Sequence, residues 1–179
     1  MGVAVGYRYT SNKIKYGLRL LLFALISQIP YSLFVSDKLF LYDNYNVIFT
    51  LLLGFLCLCS IYNIKNMFFK ILAVMVCVLL SYFSEYGLFA IGLIVMFYLL
   101  IDSKWKLYIY SLISLLNLIF ITITSNSIIS FVIYLGLFLV IPLLNLYNGK
   151  KGKYNLKYIF YVFYPLHLFV LVMIKLLLG

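Results

Sequence analysis

A single histidine inside a long apolar stretch is the side chain best suited to chemistry in this sequence. His167 is the only histidine of the chain, and it follows a proline in Tyr164-Pro165-Leu166-His167-Leu168. Because proline removes one helix hydrogen bond and displaces the preceding turn, we expect a kink beside the imidazole. Imidazole accepts and returns a proton near neutral pH, so His167 is a candidate general base. A histidine that only hydrogen-bonds to a neighbouring helix fits the pattern equally well.

The first long apolar stretch has a similar combination of proline and polar side chains. Pro30 frees the carbonyl of Ile26, and Gln28 places an amide where lipid would leave it unpaired, so this face is expected to turn inward. Arg19 lies on the same stretch. Its charge either turns inward or reaches back to the cytoplasmic headgroups, and the second interpretation is favoured.

A third group of polar residues follows two later stretches. Asn46 and Thr50 are spaced i, i+4 and therefore share one helix face. With Glu85 and Tyr86 they are predicted to line a vestibule on the outward side. Glu85 is also compatible with a solvated helix start, because a carboxylate suits the positive end of the helix dipole.

The cysteines do not suggest a metal site. Cys57, Cys59 and Cys77 lie within apolar stretches, without the paired spacing and histidine partners of a zinc site. We predict no metal and no disulfide.

Long apolar helices must position all of these residues. The chain is 66% hydrophobic and 10% charged, which excludes an ordinary soluble domain. Since a bilayer core asks for roughly 17 to 25 apolar residues per helix, we predict an all-α, polytopic integral membrane bundle of about seven transmembrane helices in one domain, 1–179. The breaks at 63–66 and 84–85 leave a re-entrant hairpin open. The predicted spans are 16–35, 45–63, 67–84, 86–102, 105–124, 127–147 and 157–178.

The cations predict the orientation of these spans. The net charge is +10, and the Lys and Arg residues fall on one side of the predicted bundle except for Lys38 and Lys175. Cytoplasmic loops carry such an excess, so the amino terminus is predicted inside and the carboxyl terminus outside. The charges flank spans in ones and twos, which argues against nucleic acid and for the lipid bilayer as partner. The run Lys150-Lys151-Gly152-Lys153 is read first as a topology signal and second as a site for a phosphate-bearing cofactor.

Several motifs, in order and spacing, resemble the TraX family of conjugation-associated membrane proteins. The resemblance covers nearly the whole chain and is most specific at its two ends. The motifs are Gly6-Tyr7-Arg8-Tyr9-Thr10-Ser11-Asn12-Lys13, the stretch from Tyr16 to Tyr31, Asn46 to Gly54, Glu85-Tyr86-Gly87 with Phe97-Tyr98, and Leu146 to Gly152 leading into Phe160 to Leu168.

The resemblance implies an acetyltransferase that uses acetyl-CoA and modifies an amine, such as the amino terminus of a pilin-like peptide, at the bacterial cytoplasmic membrane. The family's opening membrane segments, with their Asp-His pair, have no counterpart before Gly6, so a shortened member is expected. Glu85 stands where the family more often has Asp. The alternative is a non-enzymatic assembly factor or small transport subunit. The predicted sites are catalytic His167 and Glu85, substrate-binding Gln28, Asn46, Thr50, Tyr86 and Tyr164, and cofactor-binding Arg8, Arg19, Lys150 and Lys151.

Overall fold

The structure, a computed structural model, describes residues 2–37, 44–103, 105–125 and 157–178, together with residues 136, 142 and 146. These residues form helices and turns, and no strand occurs among them. The all-α prediction is therefore confirmed. The helices are α1 (Gly2–Tyr9), α2 (Lys13–Ser36), α3 (Val47–Asn63), α4 (Met67–Ser81), α5 (Gly87–Leu99), α6 (Lys106–Ser125) and α7 (Lys157–Leu178).

Asparagine side chains set the start of three helices. Asn12 accepts from the backbone N–H of Lys15 at 2.8 Å, and Asn66 accepts from Phe68 at 2.9 Å. Asn46 does the same for α3. Such caps satisfy N–H groups that the helix itself leaves without partners. The cap at Asn12 explains why α2 begins three residues before the predicted span 16–35.

The chain divides into two compact units, Met1–Leu99 with Asn155–Gly179, and Leu100–Tyr154. The second unit contains α6. In the first unit α3 is the central helix, since it packs against α1, α2, α4 and α5, while α7 packs against α2. The small residue Gly54 lets α3 approach the buried Ile94 of α5 closely. A helix that is apolar all round is suited to such a central position.

Helices α2 and α7 run parallel. Phe23, near the middle of α2, stacks on Tyr161, in the second turn of α7, with ring centroids 5.0 Å apart. At their far ends the Lys175 ammonium lies 2.7 Å from the Asp37 carboxylate. Both contacts join residues 138 apart in sequence, so the two helices keep one register along their length.

Two of these helices are long and apolar enough to cross a membrane, namely α2 and the segment Tyr161–Leu178 of α7. Shorter apolar helices are α3, α4, α5 and the segment Leu107–Leu116 of α6. The 13 residues of α5 extend about 20 Å, against a hydrocarbon core about 30 Å thick. The predicted span 86–102 is longer because it includes the turn after Leu99. The predicted span 127–147 falls outside the described residues, apart from 136, 142 and 146.

Candidate functional site

Hydrogen bonds between Gln28 and Asn46 join α2 to the start of α3. The Gln28 carbonyl oxygen accepts from the backbone N–H of Asn46 at 3.1 Å and from its side-chain amide at 2.9 Å. The Gln28 amide donates to the backbone carbonyl of Asn44 at 3.1 Å, and the Asn46 amide donates to that of Ala24 at 2.8 Å. Asn46 is fully buried and Gln28 nearly so. Gln28 therefore faces inward, as expected, and both polar atoms of its side chain have hydrogen-bond partners.

The segments before α3 and before α5 are joined by backbone hydrogen bonds. Tyr45 donates to the carbonyl of Phe83 at 2.7 Å, and Glu85 donates to the carbonyl of Tyr45 at 3.0 Å. This isolated bridge brings Glu85 to the first residue of α3. The backbone N–H of Val47 interacts with the Glu85 carboxylate, and also with the Tyr164 hydroxyl of α7. An N–H at a helix start suits a negative charge, because it lies at the positive end of the helix dipole.

Tyrosine side chains surround this carboxylate. Tyr31 and Tyr164 lie close enough to Glu85 to interact with it electrostatically. Tyr86 interacts in the same way with these two tyrosines. Burial of the carboxyl raises the pKa of Glu85 above its ordinary value, and the Val47 N–H lowers it in part. We call the side chains of Tyr31, Glu85, Tyr86 and Tyr164, with the N–H of Val47, the Glu85 cluster.

His167 lies one turn along α7 from this cluster. Its ring packs edge-on against Tyr164, with centroids 5.3 Å apart, and stacks on Phe163 at the same distance. Its Nδ1 lies 3.2 Å from the backbone carbonyl of Phe163. Since a carbonyl only accepts, Nδ1 carries the proton in this contact, and the neutral ring then has Nε2 as its free acceptor. That is the form a general base requires.

Two buried hydroxyls adjoin the Gln28–Asn46 pair in sequence. Ser27 precedes Gln28, and Thr50 lies one turn after Asn46; both are fully buried. Neither hydroxyl oxygen has a hydrogen-bond partner within the described residues. Buried polar atoms normally have partners, so these two are available to a polar ligand or water.

Two of the predicted cofactor residues lie on helix segments that do not contribute to the Glu85 cluster. Arg8 lies in the last turn of α1, and Arg19 lies in the first half of α2, against the Tyr16 ring. Lys150 and Lys151 fall outside the described residues. Among the residues that the structure describes, no group of three or more side chains suited to a metal ion occurs.

The structure thus brings together most of the residues that the sequence singled out, and it adds others. Gln28 and Asn46 are bonded, and Glu85, Tyr86 and Tyr164 share one cluster with His167 beside it. Sequence reasoning missed Tyr31, Ser27 and the N–H of Val47. Tyr31 could have been found, because it lies three residues after Gln28 and so on the same helix face. A backbone N–H carries no signal in the sequence.

The described part of the chain is all-helical, and two of its helices are long and apolar enough to cross a membrane, which agrees with the class of helical membrane proteins. Comparison with protein families gives a more specific result. The model for "TraX protein" matches residues 2–175, so the chain belongs to the TraX family, and the resemblance seen in its motifs is confirmed. No curated protein and no solved structure matches the chain.

Proposed function

We propose that this chain is a TraX-type acetyltransferase of the bacterial cytoplasmic membrane, with acetyl-CoA as donor and an extracytoplasmic amine, such as a pilin-like amino terminus, as acceptor. Membership of the TraX family fits a function associated with conjugation. The observation that carries the proposal is the contact of His167 with Tyr164, whose hydroxyl belongs to the Glu85 cluster, so that a base adjoins a group of a carboxylate and hydrogen-bond donors.

Each group has a role that its chemistry suits. Acetyl-CoA supplies a thioester, whose carbonyl carbon bonds to the amine nitrogen as its bond to sulfur breaks and the thiol is released. Nε2 of His167 takes the proton that the amine nitrogen loses and returns it to the departing sulfur. The carboxylate of Glu85 orients the neutral amine by accepting a hydrogen bond from its nitrogen before that transfer.

Developing negative charge on the carbonyl oxygen requires a donor. The Tyr164 hydroxyl and the Val47 N–H are close to each other and are held by different helices. Donors placed in advance around such an oxygen commonly contribute a factor of about 10² to 10³ in rate. The hydroxyls of Ser27 and Thr50, which have no hydrogen-bond partner within the described residues, are further candidates to contact a polar substrate.

The membrane topology proposed from the sequence supports these roles for the donor and acceptor sites. Parallel α2 and α7 agree with a first and a seventh span that cross in the same direction. In that topology Arg8, Lys150 and Lys151 face the cytoplasm, where donor phosphates arrive, and the Glu85 cluster lies toward the outer half of the bundle.

The test is acetyl transfer from isotopically labelled acetyl-CoA in membranes that contain the chain, with peptide amines and envelope glycans as acceptors. His167→Ala should lower the rate by a factor of about 10² to 10⁴, as expected for loss of a general base. Leu166→Ala is the matched control, because its exposed side chain points away from the base. It should leave the rate unchanged at equal expression.

Two outcomes would contradict the proposal. Equal rates for the unchanged chain and His167→Ala would remove the imidazole from the reaction. Absence of product with every acceptor, also after fusion of the family's opening membrane segments, would favour the assembly factor or transport subunit.

A further inference from the structure

Arg19 is a charged residue on the apolar surface of α2. Its Nε atom is buried and has no hydrogen-bond partner within the described residues. The guanidinium carbon lies 5.7 Å from the centroid of the Tyr16 ring. A cation–π contact of that kind leaves the in-plane N–H donors free. An unpaired donor on a partly buried guanidinium calls for an acceptor, and a charged acceptor gives the strongest contact with it.

A shallow, open groove of ≈ 380 Å³ has Arg19 in its lining. Besides Arg19 it is lined by leucines that are well exposed on the surface of the helix, namely Leu18, Leu21, Leu22 and Leu25. A second groove on α7, of ≈ 340 Å³, is lined by Ile159, Val162, Phe163 and Leu166 and has no cation in its wall. Both exposed apolar grooves suit lipid tails, but the groove on α2 also has the cationic residue Arg19 in its wall.

We propose that the Arg19 groove is a binding site for one anionic phospholipid, with the phosphate on Arg19 and an acyl chain along the leucines. The guanidinium fork matches two phosphate oxygens, and such charge-assisted bonds are among the strongest polar contacts. The leucine stripe, at spacings of three and four residues, provides one continuous apolar strip for the chain.

The order of polar and apolar groups along α2 matches that of a phospholipid. Arg19 lies six residues after the helix start at Lys13, about 9 Å along the axis. Lys15, one turn before Arg19, is exposed and adds a second cation on the headgroup side. Leu22 and Leu25 continue in the opposite direction, toward the middle of the bilayer. The headgroup of one lipid can therefore contact the cations while its acyl chain contacts the leucines.

The competing assignment gives Arg19 to the phosphates of acetyl-CoA. That ligand offers phosphates but no long apolar chain, so it would leave the leucine groove uncovered. A headgroup phosphate with its own acyl chain satisfies both the charge and the groove.

The test is native mass spectrometry of the whole chain, purified in detergent and titrated with phosphatidylglycerol or phosphatidylcholine. We expect one phosphatidylglycerol bound in preference to phosphatidylcholine. Arg19→Gln should weaken that binding about tenfold, because it removes a charge-assisted contact. Lys65→Gln is the matched control, since it removes an exposed cation outside the groove, and it should leave the affinity unchanged.

A second variant tests the groove without the charge. Leu22→Trp retains the guanidinium but fills the acyl-chain path, so it should weaken binding as well, and it decides the question if Arg19→Gln does not fold. Unchanged phosphatidylglycerol binding in either folded variant would overturn the proposal. Displacement of the bound lipid by free CoA would also overturn it and assign Arg19 to the donor.

Discussion

Replacing Gln28 by leucine should remove the main polar link between α2 and the start of α3. The side chain makes three hydrogen bonds to the segment around Asn46, at 2.9 to 3.1 Å. Each such bond contributes about 1 kcal/mol, and polar contacts between membrane helices average about 0.6 kcal/mol. Leucine and glutamine have similar volumes, so the expected loss of stability comes mostly from the lost hydrogen bonds. We expect the free energy of unfolding to fall by about 2 to 3 kcal/mol.

The assay is denaturant titration in micelles, followed by far-ultraviolet circular dichroism. Ile29→Leu introduces the same residue at the next position, which is exposed on α2; it should change the free energy of unfolding by less than about 0.5 kcal/mol. The double variant of Gln28→Leu with Asn46→Ala should cost about 1 kcal/mol less than the sum of the single variants, because the two side chains share a bond. Strict additivity, or a negligible cost for Gln28→Leu, would refute the reasoning.

Two other predictions concern Glu85 and Gly54. Because burial raises the pKa of Glu85, the folded chain holds that proton to higher pH, so stability should fall as pH rises from the ordinary glutamate value through the raised one. When the free energy of unfolding is measured against pH, its decrease should be smaller in Glu85→Gln than in the unchanged chain. A larger decrease in the variant would contradict this prediction. A Cβ at Gly54 would meet the terminal methyl of Ile94, whereas one at Gly92 meets open space; Gly54→Ala should therefore lose about 1 to 3 kcal/mol in the same unfolding assay, and Gly92→Ala should lose none. Adding Ile94→Val should recover much of the Gly54→Ala loss, and no recovery would refute the contact.

The helices could be predicted from the sequence because the features that define them involve neighbouring residues. Apolar composition predicted helices, and the asparagines at 12, 46 and 66 begin three of them by accepting from N–H groups within the next turn. The count of about seven spans depends on helix length, and the turn that ends α5 at Leu99 has no strong signal in the apolar run from 86 to 102. The family was recognisable from the motifs at the two ends of the chain.

Several residues of the candidate site could be named from the sequence, but their contacts could not. Gln28, Asn46, Glu85 and His167 stand out as polar groups among apolar ones, since burial without a partner would be costly. That Gln28 bonds to Asn46 depends on how α2 packs against α3. Val47 could not be found at all, since its contribution is a backbone N–H that matters only after Glu85 has been brought beside it.

The sequence by itself determined that the chain is helical, apolar and a member of the TraX family, because composition, helix caps and motifs are properties of neighbouring residues. Only the tertiary structure decided which faces meet. It set the parallel register of α2 and α7, gathered tyrosines of separate helices around Glu85, and placed Arg19 in an apolar groove. These arrangements arise from packing between residues far apart in the chain, where close approach at a small residue such as Gly54 selects one pairing of helices.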